Sequence, residues 1–168
     1  ASRSRTGAFD SYNRLQFSGP YNDAVLQVLK LDIAPDGKRL VAIGNFSAVE
    51  DLPRPQLAVL DLGEDKPSVA DWHTDFFEPR CAKSYDSYMH DVDISPDGEY
   101  FVITTTGAWR GADSPCDTTS RWELDAKGSD LEPTWVNYSG GDTMWAVAVT
   151  GPAVYIGGHF RWQNNPNT

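Results

Sequence analysis

Twice along the chain, an apolar segment with polar residues interleaved runs into Pro-Asp-Gly and out again into a second apolar segment. The first copy is Val28-Leu29-Lys30-Leu31-Asp32-Ile33-Ala34-Pro35-Asp36-Gly37-Lys38-Arg39-Leu40-Val41-Ala42-Ile43. The second is Met89-His90-Asp91-Val92-Asp93-Ile94-Ser95-Pro96-Asp97-Gly98-Glu99-Tyr100-Phe101-Val102-Ile103, offset by 61 residues when Asp32 is set on Asp93. Proline presets φ at the first turn position and glycine supplies a positive φ, so each copy reads as a β-hairpin. A degenerate third copy covers 145–158, with Thr150-Gly151-Pro152 in place of the turn and an offset of 55 from Ile94 to Val149.

More strand-like sequence follows each hairpin, at 56–62 after the first and 120–124 after the second. An extended stretch closes each unit, at 69–73 and 133–138, and sets Trp72 in correspondence with Trp135, 63 residues on. Periods of this size with strands inside each unit predict an all-β chain of antiparallel four-stranded blades, a β-propeller. An irregular β-sandwich using two similar hairpins is the competing fold. The boundaries are 1–23 as an N-terminal strand or linker segment, 24–87 as the first blade-like repeat, 88–143 as the second with a loop inserted over 107–120, and 144–168 as the start of a third. About three blades are fewer than the four or more that close a ring, so the expectation is an incomplete propeller, completed by a longer protein or by further chains.

Gly44-Asn45-Phe46-Ser47, then Arg54-Pro55-Gln56-Leu57-Ala58-Val59-Leu60-Asp61-Leu62, then Trp72, resembles the repeat of bacterial secreted propellers of the delta-60 type. Gly157-Gly158-His159-Phe160 looks like the same glycine step opening the next unit, and Trp135-Val136-Asn137-Tyr138-Ser139-Gly140-Gly141-Asp142-Thr143 resembles secreted proteins of actinobacteria. The resemblance runs from about Val25 to Phe160 and implies a binding platform on a propeller. The second unit departs from it, with Thr104-Thr105-Thr106-Gly107 where the Gly-x-Phe step belongs, followed by an insertion over 108–119 that reads as a specialised loop.

Composition agrees with the strand reading: 40% hydrophobic and 12% aromatic residues suit half-buried pleated surfaces and exclude disorder, while 14 glycines and 11 prolines supply turns. A net charge of −10 repels phosphate backbones and anionic membrane surfaces, which excludes nucleic acid as a partner. The acidic excess serves solubility or, alternatively, a divalent cation. No apolar run reaches the ~20 residues of a membrane span, and no signal peptide is present, as expected of a processed product. Cys81 and Cys116 lie in Gly/Pro/Asp-rich loops, where an even pair suits a disulfide and a secreted or cell-surface setting; two unpaired thiols are the alternative.

The candidate chemistry is sparse. Asp32, Asp36, Asp91, Asp93 and Asp97 flank the Pro-Asp-Gly turns and offer oxygens to calcium, but nothing matches a twelve-residue calcium loop and Asp before Gly is an ordinary turn residue. The expectation is therefore no cofactor, with calcium as the alternative, and no metal site. His73, His90 and His159 fall in different units; His90 with Asp91 and Asp93 suits a general-base or ligand cluster, and His73 stands next to Trp72 and near Asp71 and Asp75. No serine or cysteine sits in a nucleophile-elbow context. Among the aromatics, Trp72, Trp122 and Trp135 read as packing between blades, whereas Tyr88, Tyr138 and Trp145 lie near strand ends. Trp109, Arg110 and Asp113 in the 107–120 loop, with Trp162, are the predicted ligand-binding residues, since exposed indoles stack on sugar rings or anchor proteins. Asn45 and Asn137 stand in glycosylation patterns that a bacterial protein leaves idle.

The resulting expectation is a non-catalytic secreted or cell-surface propeller, stapled by Cys81–Cys116, that recognises a glycan or an extracellular protein through loops. The alternatives are a secreted hydrolase or lyase with an Asp/His site in the propeller channel, and a structural subunit of an extracellular assembly.

Overall fold

The computed structural model describes residues 15–20, 26–63, 66–79, 81, 88–107, 114–161 and 163. Every regular element among them is a β-strand, and all the strand ladders are antiparallel. The strands are β1 (Phe17–Pro20), β2 (Val28–Ile33), β3 (Arg39–Gly44), β4 (Phe46–Val49), β5 (Leu52–Pro53), β6 (Leu57–Leu62), β7 (Pro67–Val69), β8 (Met89–Ile94), β9 (Tyr100–Thr105), β10 (Thr118–Glu123), β11 (Trp135–Tyr138), β12 (Met144–Val149) and β13 (Val154–Gly158). They form a first sheet β2-β3-β6-β7, a second sheet β8-β9-β10-β11, a third of β12-β13, and a small sheet β1-β4-β5.

The hairpins form where the Pro-Asp-Gly turns predict. Gly37 and Gly98 adopt φ of 72° and 74°, and their N–H groups donate to Ala34 and Ser95 carbonyls at 2.8 Å. Side chains lock the same turns: Asp36 Oδ1 accepts from Lys38 N at 2.9 Å, and Asp97 Oδ1 accepts from Ser95 Oγ at 2.5 Å and Glu99 N at 3.1 Å. Those two donors hold the Asp97 carboxyl below its ordinary range.

Strand alternation sends successive side chains to opposite faces and so stacks the three sheets face to face. Val41, Ile43, Leu57 and Val59 of the first sheet meet Val92, Ile94, Phe101 and Ile103 of the second in the main core. The opposite face of the first sheet, Leu40, Ala42, Ala58 and Leu60, is covered by Phe17, Phe46 and Val49 of the small sheet. The opposite face of the second sheet places Val102 against Val147 and Val149 of the third. The main core closes on an aromatic cluster in which the Trp72 and Trp122 rings lie 5.6 Å apart and Phe76 and Phe77 sit 5.4 and 5.5 Å from Trp122. Buried indole N–H groups need acceptors, and both find one: Trp72 Nε1 donates to Glu123 O at 3.0 Å and Trp122 Nε1 to Ser120 Oγ at 2.9 Å. Cys81 and Cys116 are joined in a disulfide at the edge of this core, their Cα atoms 5.7 Å apart.

Two expectations are corrected. The 107–120 segment is not an insertion: the strand-to-strand connections 45–56 and 106–117 are both twelve residues long. Both leave their strand in the same way, with Asn45 N on Gln27 O at 3.0 Å and Thr106 N on Tyr88 O at 2.8 Å. The Trp72–Trp135 correspondence also fails. Val59 faces Ala70 while its counterpart Arg121 faces Trp135, so Trp135 matches Ala70 in register and Trp72 lies two residues further on. Trp72 and Trp122 pack between the first and second sheets, and Trp135 packs against the third.

Candidate functional site

The first strands of the three stacked sheets, β2, β8 and β12, carry a repeated arrangement that brings Asp32, His90, Asp91 and Asp93 together. Each strand is bulged at its second residue: pairing shifts between Val28 and Lys30, between Met89 and Asp91, and between Met144 and Ala146. The extra residues are Leu29, His90 and Trp145, and a bulge rather than strand alternation sets where their side chains go. Trp145 is 56% exposed, and its indole lies against the His90 imidazole with ring centroids 4.4 Å apart. Burial pushes the His90 pKa down against the pull of Asp91, so the ring is neutral at pH 7, and Nε2 lies buried without a hydrogen-bond partner.

Beyond the bulge, aspartates tie each sheet to the next. Asp32 Oδ2 accepts from Ile94 N at 2.8 Å, and the equivalent Asp93 accepts from Val149 N at 2.5 Å. Asp91 Oδ2 accepts from Val147 N at 3.0 Å, and its Oδ1 forms an ion pair with Lys30. These bonds satisfy main-chain donors at strand edges that would otherwise be desolvated without a partner. Burial is the chief cause that raises the Asp93 pKa; the Val149 N–H opposes it, Asp32 and Asp91 add to it, and Lys30 opposes it. The third sheet has Ala146 and Ala148 where the second has Asp91 and Asp93, so the arrangement is not repeated on its open face.

At the same end of the third sheet, Asp142 Oδ1 lies 3.1 Å from Nδ1 of the exposed His159. His159 N donates to Thr143 O at 2.9 Å, the counterpart of the Asn45 and Thr106 bonds in the other two sheets. The opposite, hairpin-turn end holds a cleft of about 480 Å³ between the first two sheets, lined in part by Asp36, Arg39, Asp97 and Asp125. Arg39 spans it, bonding Asp61 Oδ1 at 3.1 Å, Asp125 Oδ1 at 3.3 Å and the Leu124 carbonyl.

Trp109, Arg110, Asp113 and Trp162 lie outside the described residues. Among the described residues no group of three or more His, Cys, Asp or Glu side chains is placed to hold a metal ion. The aspartates considered for calcium are instead engaged with main-chain N–H groups or with turn hydroxyls. Tyr88 is not a surface aromatic: it is 1% exposed and its hydroxyl donates to the Phe77 carbonyl. Asn45 is likewise buried, its Oδ1 accepting from Gln27 N at 2.5 Å, so its glycosylation pattern is occupied by the fold. His73 sits apart from the other histidines in this arrangement, with Nε2 3.1 Å from Asp75 Oδ1.

The inter-sheet role of the aspartates was not readable from sequence because their partners are backbone groups. The signal available was the recurrence of Asp at one place in both hairpins. Compared with known protein families, with curated proteins and with solved structures, the chain matches none.

Proposed function

We propose that this chain is part of a secreted or cell-surface β-propeller of the delta-60 type that acts as a non-catalytic recognition scaffold for a glycan or an extracellular protein. The observation that carries this reading is the repetition of one interface. The first strands of successive sheets are bulged at the same residue, and Asp32 and Asp93 bond the next sheet's backbone at equivalent positions. Sheets related in this way stack as blades do. The same bonds argue against acid–base chemistry, because the carboxylates nearest His90 are spent on the fold. The disulfide suits an oxidising compartment.

The test is a glycan-array screen of the chain with a Trp109→Ala variant beside it. Binding by the parent that disappears in the variant supports recognition through the 107–120 loop. A silent array removes the glycan reading and leaves the protein partner. A structural-subunit reading is favoured by one feature, the uncovered apolar side chains on the outer strands β2 and β13 at the two ends of the stack. Leu31 and Ile33 on β2 are 39% and 48% exposed and Tyr155 on β13 is 61% exposed, whereas Ile94 and Val149, which match Ile33 in register, are 6% and 7% exposed.

A further inference from the structure

We infer that Trp145, displayed by the β12 bulge and backed by His90, is the stacking platform of a saccharide subsite, with the Asp142–His159 pair reading hydroxyls at the same end of the third sheet. The inference rests on the recognition reading above and moves its site from the 107–120 loop to the first strands of the sheets.

With more than half of its surface in water, the Trp145 indole keeps an apolar face that a ligand ring can bury. Trp145 is also held in place. The bulge fixes its backbone, and His90 of the neighbouring sheet lies against the ring at 4.4 Å. A fixed, exposed aromatic face loses little conformational entropy when a ligand ring lies on it. Of the three bulge residues, Leu29 is aliphatic and His90 is partly covered, so Trp145 alone offers an open aromatic face.

The ligand's charge follows from the surroundings. Lys30 is paired with Asp91, Asp93 bonds Val149 N, and Asp142 is paired with His159. Lys30 is already engaged by Asp91 and so is not left to bind an anion, and the chain's net charge of −10 repels anions. A neutral ring with an apolar C–H face and vicinal hydroxyls matches what is offered. The C–H face stacks on the indole, and hydroxyls meet a carboxylate acceptor and an exposed imidazole. A pyranose has that chemistry.

The experiment is a glycan array of the whole chain, followed by titration calorimetry of the strongest hit against Trp145→Ala, Trp145→Phe, Asp142→Asn and Trp109→Ala. Trp145→Ala is expected to weaken binding at least tenfold, Trp145→Phe to recover part of the loss, and Asp142→Asn to weaken it severalfold. Binding lost in Trp109→Ala but kept in Trp145→Ala returns the site to the 107–120 loop and overturns the inference. Unchanged thermal unfolding of each variant shows that the loss is local, as expected for an exposed side chain. Array binding that survives Trp145→Ala overturns the inference and leaves the recognition reading standing. An array silent for the parent overturns the inference and leaves the recognition reading with a protein partner.

Discussion

Removing the charge of Asp93 without removing its hydrogen bond separates what holds the second and third sheets together from what strains them. Its carboxylate accepts from Val149 N at 2.5 Å in a partly buried setting, with Asp32 and Asp91 among its electrostatic neighbours. Burial and like charge raise its folded pKa above the 3.8 of a free aspartate. A raised acid pKa means that the folded state binds the proton more tightly than the unfolded state. The resulting stability is therefore fully present below the unfolded pKa and is lost as pH rises through the folded pKa. At pH 7 the ionised group carries the whole penalty.

Asp93→Asn keeps an acceptor for Val149 N and removes the charge, so it is expected to equal or exceed the parent in stability at pH 7. Its advantage should shrink toward zero near pH 3.5. Asp93→Ala leaves a part-buried N–H without its partner and is expected to lose about 1–3 kcal/mol at both pH values. Urea unfolding at the two pH values, followed by tryptophan fluorescence, gives all three quantities. An Asn variant as unstable at pH 7 as the Ala variant would refute the reasoning, because the charge itself would then be stabilising.

Two further outcomes follow from the geometry. Reducing the Cys81–Cys116 bridge, which spans a sequence separation of 35 residues, is expected to cost about 4 kcal/mol on the loop-entropy estimate. It should lower the unfolding midpoint, and intact mass should rise by two hydrogens; an unchanged mass would remove the bridge. Gly44→Ala is expected to lose about 1–3 kcal/mol by thermal unfolding, because a Cβ there would lie 2.2 Å from Gln27 O, and a main-chain atom cannot rotate away. Gly151→Ala, which meets nothing within 4 Å, should unfold like the parent.

What was legible in the sequence was whatever is written locally. Alternation and Pro-Asp-Gly placed both hairpins, because turn φ values and strand faces depend on neighbours a few residues away. The cysteine pair followed from compartment logic. The failures have one cause, which is that register is settled by partners far along the chain. Trp72 and Trp135 are the same residue type near the same place in each unit. Yet pairing of β7 with β6 and of β11 with β10 puts Ala70, not Trp72, opposite the equivalent of Arg121. The loop after β9 looked inserted because its residues differ from those after β3, although the two connections are equally long. Asp32 and Asp93 suggested calcium because carboxylates at a repeated place resemble ligands, while the main-chain N–H groups they serve lie 62 and 56 residues downstream.

The same aspartates also divide the functional readings. In an acid–base site, Asp93 beside His90 and Asp91 would present its lone pairs to a substrate, and its raised pKa would be part of the chemistry. In a scaffold, the raised pKa is what desolvation and two like charges cost when a carboxylate is used to bind backbone. Asp93→Asn distinguishes them without knowledge of the substrate, since it deletes the base and preserves the inter-sheet bond. Saccharide binding that persists at parental affinity in this variant, together with its gain in stability at neutral pH, assigns the carboxylate to the fold. Trp145, whose side chain stabilises little where it stands, is then left as the residue whose exposure calls for a ligand.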